Sequence, residues 1–303
     1  MIDSCNLHGV LPAIPTPVTG DDRIDVQATR CLVDGLIARG VNGIVPLGGT
    51  GEYGSLSRPE RVRMAQACVQ AAGGRVPVIP GVLDPGYYDA MQAAQEFAAT
   101  GADAVMLLTP YYTRPTQAGI RDYFLRFADE SPLPVLIYEI PYRTQVSISP
   151  DILHVLSAHE RIIGMKACNT DMYHFLRTIA GVDADFAVLS GEDTLFPMHI
   201  AAGARGGIVV TASVLPRPWL DMYALLKEGR IADALALHRR LIPLLNLAFS
   251  ETNPGPLKSV MDLIGIDAPH VLRPLVRPAA PLESQLRAEL RKQIEAFGEA
   301  PAA

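Results

Sequence analysis

Short, continuous apolar runs alternate with amphipathic stretches of about 10 to 15 residues through most of this chain. The apolar runs fall at 9–18, 43–49, 77–82, 104–110, 134–141, 162–168, 186–191 and 207–214. The stretches between them carry apolar residues at helical spacing and predict helices over 25–38, 86–99, 117–129, 172–180 and 218–226. Ser57 followed by Pro59 and Glu60 reads as a capping box opening another helix. Pro150 opens one more, and Asp193 or Thr194 caps a short one. Runs that are apolar throughout, rather than at every second residue, fit strands buried on both faces of a parallel sheet. Eight strand–helix units are the number that closes a (β/α)8 barrel, the TIM-barrel form of α/β fold. An open, doubly wound sheet is the alternative, and no GxGxxG follows any of the strands to support it.

Beyond Gly229 the pattern is purely helical, over 230–248, 254–263 and 282–297, with a proline-rich linker before the last helix. The chain therefore divides into a barrel catalytic domain over 1–229 and a C-terminal helical extension over 230–303.

Composition narrows the class. At 303 residues and 49% hydrophobic, the chain has the size and apolar content of a single barrel. A net charge of −6 with no basic cluster argues against a nucleic-acid partner. No apolar run approaches the roughly 20 residues that span a bilayer. The first residues lack a basic stretch followed by an apolar one, so a cytoplasmic location is expected. Cys5, Cys31, Cys68 and Cys168 are scattered and read as reduced thiols, with Cys168 a small buried hydrophobe.

One apolar run carries an anomaly. Residues 161–169 read RIIGMKACN, with a lysine at the centre of a core strand. The chain has only four lysines, and Lys227, Lys258 and Lys292 lie in helical or polar contexts. Apolar surroundings bias an amine toward its neutral form, a nucleophile for carbonyl carbon. A strand-end lysine that snorkels to solvent is the bland alternative.

The residues after the other strands decide between them, because a barrel gathers its site at the C-terminal ends of its strands. Gly48-Gly49-Thr50-Gly51-Glu52 can turn successive N–H groups onto an anion such as a carboxylate. The plainer reading is a tight turn. Thr109-Pro110-Tyr111-Tyr112 follows the fourth strand, and Tyr138, Glu139 and Arg143 belong to the fifth. Ser190-Gly191-Glu192-Asp193 follows the seventh. An amine nucleophile needs a phenol to move protons and an arginine to fix a carboxylate, and these loops supply both. A competing chemistry uses Glu52, Glu139, Glu192 and Asp193 as a cage for Mg²⁺ or Mn²⁺, although no HxH or HExxH pair reinforces it.

The stretches GGTGEYGSL (48–56), TPYYTRPTQ (109–117), YEIPYRT (138–144), IIGMKA (162–167), LSGED (189–193) and NPGPLK (253–258) occur in this order in one barrel-length chain. Together they resemble the dihydrodipicolinate synthase/N-acetylneuraminate lyase family of pyruvate-dependent Schiff-base lyases. The resemblance implies a barrel with a C-terminal helical extension, assembled as a tetramer of tight dimers. It implies an imine between Lys166 and the C2 carbonyl of pyruvate or another 2-oxo acid, with Tyr138 relaying protons. Gly49 and Thr50 would hold the pyruvate carboxylate, and Arg143 the carboxylate of a second substrate. Tyr112 would be lent to the neighbouring subunit, and Gly191 and the backbone of Ile208 would line the pocket. No metal or other cofactor is needed, because the protonated imine is the electron sink.

The closest implied activity is 4-hydroxy-tetrahydrodipicolinate synthesis from pyruvate and aspartate semialdehyde. A 2-keto-3-deoxy sugar acid aldolase or dehydratase, a metal-dependent aldolase and a non-catalytic 2-oxo acid binding protein are the alternatives. The chain departs from the synthases at Gly49, where they carry Thr or Ser, and at Glu139, where they carry Asn. Lys166-Ala167-Cys168 also differs from the K-x-T of sialate lyases. Feedback by lysine is expected to be absent, from the sequence at 84–89.

Overall fold

The structure is a computed structural model that describes residue 2 and residues 6–299. Its first half runs β1 (Gly9–Pro12), α1 (Val26–Ala38), α2 (Arg58–Ala72), β2 (Gly81–Val82), α3 (Tyr87–Thr100), β3 (Val105–Leu108) and α4 (Gln117–Glu130). It continues through β4 (Val135–Glu139), α5 (Pro141–Thr144), α6 (Pro150–Ser157), β5 (Ile162–Ala167), α7 (Met172–Gly181) and β6 (Ala187–Ser190). The barrel ends with α8 (Phe196–Ala201), β7 (Gly206–Val209) and α9 (Arg217–Lys227). All strand pairs are parallel, and among the described residues the sheet has seven strands in the order β1-β7-β6-β5-β4-β3-β2.

The strand expected over 43–49 is reduced to two isolated bridges, Ala13 with Val45 and Ile44 with Val78. Pro46 has no N–H to donate, and Leu47 turns the chain away at φ 63°. This short segment still closes the barrel. Val45 N donates to Pro12 O at 3.0 Å on one side, and Ile79 N donates to Ile44 O at 2.9 Å on the other. Pro77 and Pro80 shorten β2 by the same loss of donors. The architecture is a (β/α)8 barrel with one strand worn down to a bridge.

Two expected caps have other work. Ser57 precedes α2, but its side chain makes no capping bond, and Glu60 accepts from Ile24 N at 2.7 Å instead. Asp193 caps nothing: α8 begins after Leu195, while the Asp193 carboxylate accepts from Val210 N and Thr211 N, both at 2.8 Å. Asp25, Thr116 and Asp171 do cap α1, α4 and α7.

Three helices follow the barrel: α10 (Ile231–Ala248), α11 (Gly255–Lys258) and α12 (Ala280–Phe297). The helix expected over 254–263 breaks after α11, because Val260 at φ −123° leaves helical geometry before a short 3₁₀ turn, Met261–Ile264. Helix α10 lies against α8 and α9 and buries Leu241, Leu244 and Leu245. His238 on α10 meets Asp193 O at 3.0 Å. The extension thereby reaches the segment that follows β6, at the mouth of the barrel.

Candidate active site

Strands β4 and β5 pair so that Tyr138 and Lys166 are register partners. Side chains alternate along a strand, so these two face the barrel interior while Glu139 faces the surrounding helices. Both are nearly enclosed, at 3% and 4% exposure, and Lys166 Nζ lies 4.6 Å from the centre of the Tyr138 ring. Burial raises the Tyr138 phenol well above its ordinary range; Cys168 and Glu192 act in the same sense, and Arg143 opposes them.

Lys166 and Tyr138 open onto a cavity of about 620 Å³ at the strand ends, which Gly49, Thr50, Arg143 and Gly191 also line. A Cβ on Gly191 would stand 2.2 Å from Cys168 Sγ and 2.9 Å from Lys166 Cγ, so only glycine leaves the lysine room. A Cβ on Gly49 would lie 3.3 Å from Arg143 Nη1 and 4.0 Å from Tyr138 Oη. The guanidinium thus sits beside the space that a larger residue at 49 would occupy. Cys168 is buried as expected, and its thiol, pushed up by burial, contacts Gly191 O at 3.3 Å.

Two of the expected residues stand apart. Ile208 is buried within β7, paired with Leu11, and does not line the cavity; Val210, two residues nearer the strand end, does. Tyr112 is 91% exposed, with a left-handed backbone at φ 70°, and is not among the lining residues of its own chain.

The carboxylates of the competing metal reading do not converge, and the described residues contain no group of three or more His, Cys, Asp or Glu arranged to hold one. Glu52 is tied to Lys258 Nζ and Leu272 N, each at 2.6 Å. Glu139 accepts from Ser147 Oγ at 2.7 Å and Ile148 N at 3.1 Å, behind the strand. Asp193 is held by β7's outgoing loop, while Glu192 lines the cavity, hydrogen-bonded by Tyr142 and with its Oε1 unpartnered.

Lys166 is the lysine on a core strand and Lys258 lies in a helix, as expected, but the structure adds a burial that the helical context did not show. Lys258 is equally enclosed, its side chain and that of Glu52 both at 0% exposure. Burial lowers the Lys258 amine, and Glu52 offsets part of that. Five residues earlier, the Asn253 amide donates to Thr50 Oγ1 at 2.8 Å. The extension therefore grips the Gly-Gly-Thr-Gly-Glu turn through three bonds, one to Thr50 and two to Glu52. The available signal was the NPGPLK stretch, where a polar amide and a lysine flank apolar residues.

This arrangement agrees with what comparison finds. The chain is 37% identical to the 4-hydroxy-tetrahydrodipicolinate synthase of Acidiphilium cryptum over 291 residues, which are 96% of this chain and 98% of that one. A dihydrodipicolinate synthase from Acinetobacter baumannii, described as chloride-inhibited and complexed with pyruvate, superposes with a TM-score of 0.90 at 30% identity, covering 97% of this chain and 100% of the other. A structure described as the first monomeric dihydrodipicolinate synthase variant superposes with a TM-score of 0.92 at 28% identity, covering 96% and 98%. The model of the Dihydrodipicolinate synthetase family matches residues 6–297, and the chain belongs to that family.

Proposed function

We propose that this chain is a lyase of the dihydrodipicolinate synthase class, condensing pyruvate with aspartate semialdehyde through an imine at Lys166. The observation that carries this reading is the register pairing of Lys166 with Tyr138 at the strand ends, both nearly enclosed and both facing one cavity. The Lys166 amine attacks the C2 carbonyl of pyruvate, water leaves, and the protonated imine draws electrons from C3. Loss of a C3 proton gives an enamine that attacks the aldehyde carbon of the second substrate. Tyr138 moves protons at the imine and at C3. The Thr50 hydroxyl and the turn around Gly49 hold the pyruvate carboxylate, Gly191 leaves Lys166 its space, and Arg143 receives the carboxylate of the second substrate. The imine is its own electron sink, so no metal or cofactor enters these steps.

Residues 1–229 form the catalytic barrel, and the extension over 230–303 completes it by holding Thr50 and Glu52. The working unit is a dimer of dimers in which Tyr112 serves the neighbouring site; its exposure supports this. Cytoplasmic residence is supported by the unpaired Cys31, Cys68 and Cys168, and no helix among the described residues is long and apolar enough to cross a membrane. Cys5 lies outside the described residues.

The test is borohydride reduction in the presence of pyruvate, read by intact mass. One pyruvate-derived adduct per chain is expected, lost in Lys166→Ala. An adduct that survives in Lys166→Ala, or none in the native protein, sinks the reading. The Gly48-Gly49-Thr50 turn favours a second reading, a keto-deoxy sugar acid substrate. Turnover of such an acid with none of aspartate semialdehyde would select it.

A further inference from the structure

The acidic groups around the mouth differ in how they are held. Asp193 accepts three hydrogen bonds, from Val210 N, Thr211 N and Thr211 Oγ1, at 2.8, 2.8 and 2.7 Å. Glu52 is neutralised by Lys258. Glu192 lines the cavity that holds Lys166 and Arg143, and its Oε1 is buried with no hydrogen-bond partner among the described residues. Tyr142 hydrogen-bonds the carboxylate, and the unpartnered Oε1 is left to receive a donor from a molecule in the cavity. The nearby arginine suits the carboxylate of an incoming molecule, and Glu192 suits a cation on the same molecule.

The geometry points to Glu192 as the residue that binds the ammonium of the second substrate and carries its proton to Lys166 as the product leaves. This rests on the imine reading above and assigns a group to its last step. After the new C–C bond forms, the second substrate's nitrogen is tethered to the carbon that Lys166 holds. Its ammonium gives a proton to Glu192, and the free amine attacks C2 of the protonated imine. A C–N bond forms, and the lysine nitrogen becomes a neutral secondary amine. Glu192 gives that proton to the Lys166 nitrogen, takes a second one from the newly bonded nitrogen, and the C2–Nζ bond breaks. Lys166 departs as a neutral amine, the product closes as a protonated cyclic imine, and Glu192 passes the second proton to solvent. No oxidant or reductant is required.

The Glu192 carboxyl stands at about 7, raised by burial and by Asp193, and opposed by Lys166, Tyr142 and Arg143. Such a group takes up and releases a proton readily near neutral pH.

The test combines Glu192→Gln with borohydride trapping in the presence of pyruvate and aspartate semialdehyde. The expected result is turnover slowed by about 10²-fold or more, with a trapped Lys166 adduct that contains both substrates. The native protein should trap mainly the pyruvate adduct. With a four-carbon aldehyde acid that lacks the amine, the two proteins should condense at the same rate. Native-like turnover in Glu192→Gln overturns the assignment, as does slowing by the same factor with and without the amine, or slowed turnover with only the pyruvate adduct. Failure of the native protein to trap pyruvate removes the imine reading instead, a distinguishable outcome.

The native protein supplies a second measurement that does not depend on the variant folding. As pH falls through about 7, Glu192 gains its proton, and the adduct containing both substrates should accumulate. Lys166, Arg143, Asp193, Tyr138 and Tyr142 face the same group. An adduct composition constant across that range overturns the assignment.

Discussion

Gly49 sets the inner shape of the site. In the synthases that this chain resembles, a hydroxyl-bearing residue stands here and links the tyrosines of the proton relay. In this chain Arg143 borders the vacated space, with Nη1 3.3 Å from where a Cβ would lie. The guanidinium ends a flexible side chain, so Gly49→Ser is expected to fold and to push Arg143 aside by a few tenths of an ångström. In the function proposed, Arg143 receives the carboxylate of the second substrate, so the cost falls there. Its KM should rise roughly tenfold, equivalent to about 1.4 kcal/mol, while pyruvate trapping is no slower. Steady-state kinetics with a fixed, saturating pyruvate concentration measure this. An unchanged KM would separate Arg143 from that carboxylate.

The same scale shows what sequence could reveal. Lys166 and Tyr138 were legible because each sits in an apolar strand where its chemistry is out of place. Glu52 and Lys258 were not, because their partnership spans 206 positions and each alone reads as an ordinary loop or helix residue. Glu192 was visible as a mouth carboxylate, yet the unpartnered state of its Oε1 is a property of the folded cavity.

At the scale of elements, the apolar runs identified the barrel, and the departures have local causes. Proline at 46 and the left-handed Leu47 cut the second strand to a bridge, and the demand of Val210 and Thr211 for an acceptor drew Asp193 away from a cap. The segment from Asn253 to Lys258 acts as a strap across the turn that carries Gly49 and Thr50. Its central bond is a fully enclosed ion pair, and removing one partner of such a pair typically costs about 3–5 kcal/mol. Lys258→Met should therefore destabilise the protein by roughly that amount, measured by chemical denaturation. Adding Glu52→Gln should restore most of the loss, because the amide oxygen can still accept from Leu272 N, which now meets Glu52 Oε1 at 2.6 Å. The single variant should also raise the KM for pyruvate, since the same strap holds Thr50 through Asn253. A stable Lys258→Met protein, or a double variant no better than the single one, would show that the pair does not secure the turn.

The whole molecule brings back Tyr112, which no reading of one chain can place in a site. Its ring is 91% exposed and its backbone sits at φ 70°, a conformation that costs a non-glycine residue on the order of 1 kcal/mol or more. A large aromatic held in that way needs a contact that its own chain does not provide, and a second copy of the chain is the partner proposed above. The prediction is complementation between two crippled subunits. Lys166→Ala lacks the nucleophile but keeps Tyr112; Tyr112→Phe keeps the nucleophile but lacks the phenol. In a mixed dimer, the site containing Lys166 receives Tyr112 from the other subunit and is whole. Equal amounts dissociated and reassociated at random should recover roughly a quarter of native activity, because half the dimers are mixed and each has one intact site. The recovered activity should also fall on dilution below the association range, followed by sedimentation alongside turnover. Activity no greater than the mean of the two parents would show that Tyr112 does not cross between subunits.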